Sequence, residues 1–395
     1  MSERMGLLDS WRAYREFQSR PESWRDIVFY AETHQDWHHF EGIIRELTER
    51  LGRSIAYLTS DPSDPVLARA GERFHAFYLP AGWPTILAFQ TLRARVLVLT
   101  MMDLGNLQLK RSLAQPVHYV YVFHSLGSTH MVDLPGSYDQ YDTILCAGPH
   151  QLREIRRREE LEGLPRKQLI AHGYARIESL IERADGASAL PHDAQRPTVL
   201  IAPTWGEHAL LEVCGELLID LLIAADVRVI LRPHYETVRR SPRLVQRLVS
   251  CFSTHPRFEY VDAMAESETL LRSDLLICDW SAMAIEYALA LGRPVLFIDV
   301  SPRIRNPEYA KLGVEPIERS IRHQVGEILS VAQLVRAPDC IRRLLAQTSS
   351  NVVRLSRLRD EVVYNLGRSA RVGAEAIDRI AEPQRPRAAA RVDAA

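Results

Sequence analysis

The chain is poor in cysteine and has no long apolar run. Its five cysteines include no Cys-x-x-Cys pair, and several lie in or beside apolar runs, which favours buried reduced thiols in a cytosolic protein. No stretch approaches the roughly 20 apolar residues that a membrane-spanning helix needs. The N-terminus also lacks the apolar region of a signal peptide. We therefore expect a soluble or peripheral protein.

Several nucleotide and metal motifs are absent as well. There is no G-x-G-x-x-G, no G-x-x-x-x-G-K-[ST] and no G-x-S-x-G, so ordinary dinucleotide binding, P-loop chemistry and a nucleophile elbow are unsupported. His38 and His39 lack a carboxylate at a ligand spacing, and residues 61–64 (DPSD) are typical of a polar turn. We predict no protein-held metal and no cofactor bound by a motif. The formal charge of −1 gives no sign of a nucleic-acid partner.

What the chain does have is a repeated alternation of apolar runs and amphipathic stretches. With 395 residues it exceeds the size at which one hydrophobic core stops growing, so two domains are expected. The alternation predicts an α/β protein with two Rossmann-like halves, each built on a mostly parallel sheet. The predicted strands are Ile27–Ala31, Ile55–Leu58, Ala76–Leu79, Val96–Thr100, Val117–Phe123, Thr143–Cys146, Gln168–Ala171, Thr198–Ala202, Val227–Leu231, Phe258–Val261, Leu275–Cys278 and Val295–Ile298.

Composition shifts along the chain predict its domain boundaries. We expect a docking helix or membrane-surface anchor in residues 1–25, where Trp11 and Trp24 accompany several arginines. Residues 186–196 are small and polar and predict a linker between the two halves. The remaining divisions are a first half at 26–185, a second half at 197–320, an all-helical tail at 321–381 and a disordered end at 382–395.

The most informative stretch is residues 275–300, LLICDWSAMAIEYALALGRPVLFIDV. It is typical of a strand, a polar turn, a helix and a second strand, and open α/β sheets bind ligands at the carboxyl ends of their strands. Ser281 either caps the helix expected from Ala282 or helps that helix start to bind an anion. Asp279 is more consistent with a hydrogen-bonding role than a catalytic one. Glu286 either reaches a ribose hydroxyl or is an exposed helical residue.

A second polar segment follows the strand Val117–Phe123. His124 is placed there as a general base or as a structural histidine, and Gly127 is expected to permit a tight turn. Ser125 and Ser128 supply hydroxyl groups to the same segment. A small-molecule site at this strand end is therefore predicted.

Two further strand ends carry candidate ligand contacts. Arg232, His234 and Arg239 form either a clamp for phosphate oxygens or a solvated surface loop. Thr204 lines the cleft or lies in a plain turn, and the neighbouring Trp205 packs against a base or fills core.

Together these segments resemble the CDP-glycerol glycerophosphotransferase family, whose enzymes build teichoic-acid-like polymers. The similarity spans roughly residues 117–300 and includes the segments IAPTW (201–205), RPH (232–234), SDLLICDWS (273–281) and GRPVLF (292–297). FHSLG (123–127) occupies the place of the family's first histidine segment. The N-terminal part resembles a Gram-negative branch linked to surface-carbohydrate biosynthesis.

The resemblance implies a GT-B fold, with the nucleotide held mainly by the second half. It implies that His124 is the general base and that His234 contacts the diphosphate of the donor. It further implies that Ser281 and the amides of its helix hold phosphate, and that Glu286 holds the ribose or base.

The predicted function is transfer of a glycerophosphate-type group from CDP-glycerol or a similar nucleotide-activated donor, with release of CMP. The predicted acceptor is a surface polysaccharide or a lipid-linked saccharide. Two alternatives remain, a GT-B glycosyltransferase that uses a nucleotide sugar and a non-catalytic nucleotide-binding protein of the same pathway. The expected location is cytoplasmic, with the inner face of the cell membrane as a peripheral site.

Overall fold

The computed structural model describes residues 14–186, 196–262 and 268–382. Contacts between Cα atoms divide the chain into two compact units. The first contains the chain up to Val122, then Tyr138–Leu145 and the chain from Ala370 onward, and the second contains Phe123–Ser137 and Cys146–Ser369. The histidine segment at 123–127 is therefore in the same unit as the predicted nucleotide-binding motifs.

The first unit is built on a parallel sheet in the order β3-β4-β2-β1-β5-β6-β7, in which only the β3–β4 pair is antiparallel. All five residues of its central strand Ile27–Ala31 are buried, as expected where helices cover both faces of a sheet. Its strands are β1 (Ile27–Ala31), β2 (Ile55–Thr59), β3 (Ala70–Gly71), β4 (Phe74–Tyr78), β5 (Val96–Leu99), β6 (His118–Val122) and β7 (Thr143–Cys146).

The second unit contains a six-stranded parallel sheet in the order β11-β10-β9-β12-β13-β14. Strand β12 pairs on one side with β9 and on the other with β13, so the ends of three motif-bearing strands lie side by side. The strands of this unit are β8 (Gln168–Ala171), β9 (Thr198–Ile201), β10 (Arg228–Leu231), β11 (Phe258–Tyr260), β12 (Leu275–Cys278), β13 (Val295–Asp299) and β14 (Gly326–Ser330).

Most connections between the parallel strands contain a helix, whereas residues 100–117 and 123–142 connect β5 to β6 and β6 to β7 without one. The α-helices are Glu22–Arg25, Trp37–Arg45, Trp83–Thr91, Pro149–Glu162, Ala175–Gly186, Leu210–Ala224, Tyr235–Arg240, Pro242–Phe252, Glu268–Arg272, Met283–Leu291, Ile317–Ser320, Arg322–Val325, Ala337–Ala346, Thr348–Val362 and Ser369–Ala381. Short 3₁₀ helices are His34–Asp36, Pro65–Ala68, Tyr309–Leu312 and Val331–Arg336, and Glu46–Arg50 is a π-helix.

The α/β prediction is confirmed, since every predicted strand is present with ends that differ by at most two residues. The all-helical tail was wrong in one respect, because Gly326–Ser330 is a strand that pairs in parallel with β13. The helix Ser369–Ala381 packs in the first unit, where Asp378 accepts a hydrogen bond of 2.5 Å from Arg53 Nε.

Three predictions concern residues at the edges of the described chain. Residues 1–13, with Trp11, lie outside it, whereas Tyr14 and Phe17 are buried in the first unit. Most of the predicted linker, residues 187–195, and the predicted disordered end from residue 383 also lie outside it. Within the described residues no helix has both the length and the apolar character to cross a membrane.

The expectation of buried thiols holds for four of the five cysteines, and Cys251 is the exception. All five are free. The buried ones are Cys146, Cys214, Cys278 and Cys340, and Cys251 is exposed. Burial raises the pKa of the Cys214 thiol to about 11, so this thiol is unreactive at neutral pH.

Candidate functional site

The site predicted from the sequence lies at the carboxyl ends of adjacent strands in the second unit. Strand β12 leads into Asp279 and Ser281, β9 leads into Thr204, and β10 leads into Arg232 and His234. These strands are neighbours in the order β10-β9-β12. The structure therefore brings the second-half motifs to one edge of one sheet, which is where open α/β sheets bind ligands.

Asp279 organises this edge. It is fully buried, and its Oδ1 accepts hydrogen bonds from the backbone amides of Thr204 (2.8 Å) and Trp280 (2.7 Å). Its Oδ2 accepts from the amide of Leu210 at 3.1 Å, the first residue of the helix Leu210–Ala224. The carboxylate thus ties two strand ends and a helix start together, which agrees with the hydrogen-bonding role expected for it.

Ser281 lies at the start of the helix that follows β12. That helix begins at Met283, one residue later than predicted, with Ala282 as its N-terminal cap residue. The Ser281 hydroxyl accepts from the Met283 amide at 3.3 Å, so it caps the helix from one position further out. The next amides are also paired, because those of Ala284 and Ile285 donate to the carbonyls of Ser281 (3.1 Å) and Ala282 (3.0 Å), so the helix start offers an anion its positive dipole end.

Arg232 adds a buried cation to the same helix start. Its residue surface is only 5% exposed, and its Nη1 donates to Thr269 Oγ1 at 2.8 Å. Its Nη2 contacts Met283 Sδ at 2.6 Å, which places the guanidinium beside the first residue of the helix. Burial, and then the nearby charge of Arg176, lower the pKa of Arg232 to about 10, so it stays protonated at neutral pH.

Glu286 is buried and paired, so the alternative prediction that it is an exposed helical residue was wrong. Its Oε2 accepts from Arg176 Nε at 2.9 Å, and its Oε1 lies 2.8 Å from the Tyr174 hydroxyl. The same hydroxyl lies 2.8 Å from the backbone carbonyl of His124. Tyr174 therefore connects the histidine segment to the helix Met283–Leu291.

Helix Pro149–Glu162 anchors the rest of the segment that carries His124. Gln151 Nε2 donates to the carbonyls of Ser125 (2.9 Å) and Gly127 (3.2 Å). The carboxylate of Glu154 accepts from both the amide and the hydroxyl of Thr129. With its backbone fixed at several points, the segment presents His124 from a rigid loop.

Gly127 is required for space rather than for the turn that the sequence predicted. It does not have a positive φ. A Cβ atom there would lie 2.8 Å from Glu318 Oε1 and 3.7 Å from Ala282 Cβ. Glu318 Oε1 also accepts the Ser128 amide at 2.9 Å, and burial raises the pKa of Glu318 to about 7. The loop therefore lies directly against both Glu318 and Ala282, the cap residue of the helix Met283–Leu291.

His234 belongs to an aromatic and basic group. Its ring centroid lies 6.2 Å from that of Trp205, and the guanidinium carbons of Arg303 and Arg240 lie 3.8 and 5.0 Å from the Trp205 ring centre. His234 is exposed, yet crowding removes some water from its ring, and this with the charge of Arg303 lowers its pKa. A neutral imidazole follows at pH 7, with Nδ1 accepting from the Glu236 amide.

Arg239 does not join this group. It is exposed, and its Nη2 is paired with Glu236 Oε2 at 2.8 Å on the helix Tyr235–Arg240. The helix turns the side chain into solvent, so for Arg239 the structure favours the alternative of a solvated surface residue over a member of the predicted phosphate clamp. Arg303, which the sequence analysis missed, takes the place beside Trp205.

Three further residues of this region, Tyr174, Arg176 and Glu318, were not predicted from the sequence. Each acts through a contact with a residue more than 100 positions away, and no local pattern marks such a contact. Among residues 14–186, 196–262 and 268–382, no group of three or more histidine, cysteine or acidic side chains could hold a metal ion.

Known proteins provide an independent comparison. Residues 135–301, less than half of the chain, match the family model of CDP-Glycerol:Poly(glycerophosphate) glycerophosphotransferase, a match that supports a transferase. It includes Arg232, His234 and Ser281 but begins after His124. No curated protein matches the sequence.

Solved structures share the fold at low sequence identity. The wall teichoic acid polymerase TagF is 15% identical, with 95% of this chain and 94% of that chain covered and a TM-score of 0.59. The UDP-GlcNAc 2-epimerase of Neisseria meningitidis is 11% identical, with 89% and 99% covered and a TM-score of 0.60. A Rickettsia africae glycosyltransferase is 10% identical, with 90% and 98% covered and a TM-score of 0.52.

These similarities confirm the GT-B fold and the resemblance predicted from the motifs. At such identities the solved structures show only the fold, whereas the family model matches the part of the chain that includes the strand ends of the second unit. Over residues 135–301 the chain is thus similar to the CDP-glycerol:poly(glycerophosphate) glycerophosphotransferases.

Proposed function

We propose that this protein transfers an alcohol phosphate from CDP-glycerol, or a similar CDP-activated alcohol, to an acceptor hydroxyl and releases CMP. The acceptor is a surface polysaccharide or a lipid-linked saccharide. The observation that carries the proposal is the family match over residues 135–301, which includes the strand ends that bear Arg232, His234 and Ser281. Those residues are the basic and hydroxyl groups that a diphosphate needs.

The donor diphosphate is proposed to lie at the start of the helix Met283–Leu291. Arg232 supplies a full positive charge there, and the helix amides supply partial ones. Sulfur is a weak acceptor, so Arg232 Nη2 can exchange Met283 Sδ for a phosphate oxygen at little cost. Trp205 offers an aromatic face, already contacted by Arg303, on which a base can stack.

His124 is proposed as the general base. In the reaction the acceptor oxygen forms a bond to the β-phosphorus, the anhydride P–O bond breaks, and CMP leaves with the electron pair. The acceptor proton passes to the His124 imidazole. Support comes from Tyr174, which ties the His124 carbonyl to Glu286 on the helix of the phosphate site, because such rigidity keeps reacting groups in position.

The acceptor is proposed to bind the first unit. That unit has a cavity of about 490 Å³ whose lining includes Glu32, Thr85 and Asp103. Glu32 follows β1 and Asp103 follows β5, so the cavity is at the carboxyl ends of two paired strands. Its carboxylates and hydroxyl can accept hydrogen bonds from the hydroxyls of a saccharide.

The test is the identity of the released nucleotide. The full chain is incubated with CDP-glycerol or with UDP-GlcNAc, together with a lipid-linked saccharide fraction, and nucleotides are separated by ion-exchange chromatography. We expect release of CMP from CDP-glycerol. The control variant His38→Ala, which changes an exposed histidine, should still release CMP, whereas His124→Ala should not. Release of UDP without CMP contradicts it and favours a glycosyltransferase. Nucleotide binding with no release favours the non-catalytic alternative.

A further inference from the structure

A second polar cavity lies in the second unit, beside the candidate site but with different walls. Its volume is about 600 Å³, and its lining includes Trp280, Asp299, Ser301 and three basic side chains from residues 319–323. None of His124, His234 and Ser281 lines it. The Trp280 indole forms a fixed wall, since its Nε1 donates to the carbonyl of Val300 at 2.8 Å.

The innermost basic side chain of this cavity, Arg322, is unusual. It is only 4% exposed, and its Nη1 donates to Asp299 Oδ1 at 2.9 Å. Its Nε and Nη2 are buried and have no hydrogen-bond partner. Its guanidinium carbon lies 4.2 Å from the ring centre of Trp280 and 5.1 Å from that of Phe297. Aromatic faces stabilise the cation, but they leave two buried donor nitrogens without an acceptor, which is costly.

Two exposed basic residues lie on the same cavity wall. Arg319 and His323 both line the cavity, and neither has an ion pair or a side-chain hydrogen bond within the described part of the chain. Asp299 is the only acidic residue in the lining, and about half of its side chain faces solvent. The cavity therefore carries a net charge of about +1 with His323 neutral and about +2 with His323 protonated.

We propose that this cavity binds a phosphate group, either inorganic phosphate or that of a small phosphomonoester. A phosphate offers several acceptor oxygens to guanidinium forks, and its charge matches the surplus of the cavity. The Ser301 hydroxyl can donate one further hydrogen bond. The wall of Trp280 gives a phosphomonoester apolar surface for its carbon chain. The assignment stands on this cavity alone and does not depend on the proposed transferase activity.

The test is a ³¹P NMR titration of the full chain with inorganic phosphate and, separately, with glycerol 3-phosphate, at constant ionic strength. The double variant Arg319→Gln/His323→Gln changes only exposed side chains, so it keeps its fold. Arg243→Gln, an exposed arginine of the same unit, is the matched control. Ser281→Ala reports on phosphate bound at the candidate site instead.

We expect the double variant to raise the Kd for the probe at least tenfold, while Arg243→Gln and Ser281→Ala leave it unchanged. Tighter binding of glycerol 3-phosphate than of inorganic phosphate assigns the site to a phosphomonoester, and equal binding assigns it to free phosphate. The proposal is overturned if neither probe binds, if the double variant binds like the unmodified chain, or if only Ser281→Ala abolishes binding.

Discussion

Replacing Gly127 with alanine tests how the histidine segment is held. The added methyl carbon would lie 2.8 Å from Glu318 Oε1, which is closer than such atoms approach in folded proteins. The backbone itself accepts alanine, because φ at Gly127 is not positive. Either the Glu318 carboxylate moves away or the loop that carries His124 moves.

The expected cost follows from the bond at risk. If the carboxylate moves, the buried Ser128 amide loses its 2.9 Å hydrogen bond to Glu318 Oε1. Leaving a buried donor unsatisfied costs about 1–3 kcal/mol. If the loop moves instead, His124 is displaced, and a shift of about 1 Å can lower kcat on the order of 100-fold.

The assay is a double-mutant cycle read by denaturant unfolding and by CMP release. In a Glu318→Ala background the obstructing oxygen is absent, so we expect Gly127→Ala to cost at least about 1 kcal/mol less than in the unmodified chain. Gly71→Ala is the control, because its nearest atom, Phe74 Cβ, lies at 3.9 Å. Equal costs of Gly127→Ala in both backgrounds would show that Glu318 does not obstruct the added methyl group.

Three further predictions concern the pH dependence of stability, donor binding and membrane association. Burial raises the pKa of Glu318 from 4.5 to about 7, so the folded chain binds more protons than the unfolded chain between these pH values. The free energy of unfolding therefore falls as the pH rises from 4.5 to about 7. Glu318→Gln should flatten this fall in urea titrations. Arg232→Gln should raise the Kd for CDP about 10-fold or more in calorimetry, whereas Arg239→Gln should not change it. If residues 1–13 anchor the protein, their removal should abolish flotation with anionic vesicles, and unchanged flotation would contradict the anchor.

Most strands of the two sheets could be located from the sequence because buried parallel strands are short, continuous apolar runs. Leu275–Cys278 and Thr143–Cys146 were predicted with their observed ends, since each is bounded by polar residues. Gly326–Ser330 was missed because it begins with Gly and Glu, and only pairing with β13 makes it a strand. This strand also follows two short helices, so the sequence around it is typical of a helical tail.

The candidate site was predictable only where its residues follow strands. Ser281 and Arg232 do so, and the sheet order brings them to one edge. The partners of Glu286 were not predictable, since Tyr174 is 112 positions away and nothing local distinguishes a paired glutamate from an exposed one. The need for glycine at 127 likewise depends on Glu318, which reaches the loop from a distant helix.

The role of His124 as general base is tested most directly by comparing donor binding with turnover in His124→Ala. We expect CDP to bind this variant as it binds the unmodified chain, because Arg232 and the helix Met283–Leu291 are intact, while CMP release from CDP-glycerol falls about 10²–10⁴-fold. CMP release at the unmodified rate from His124→Ala would show that His124 is not the general base.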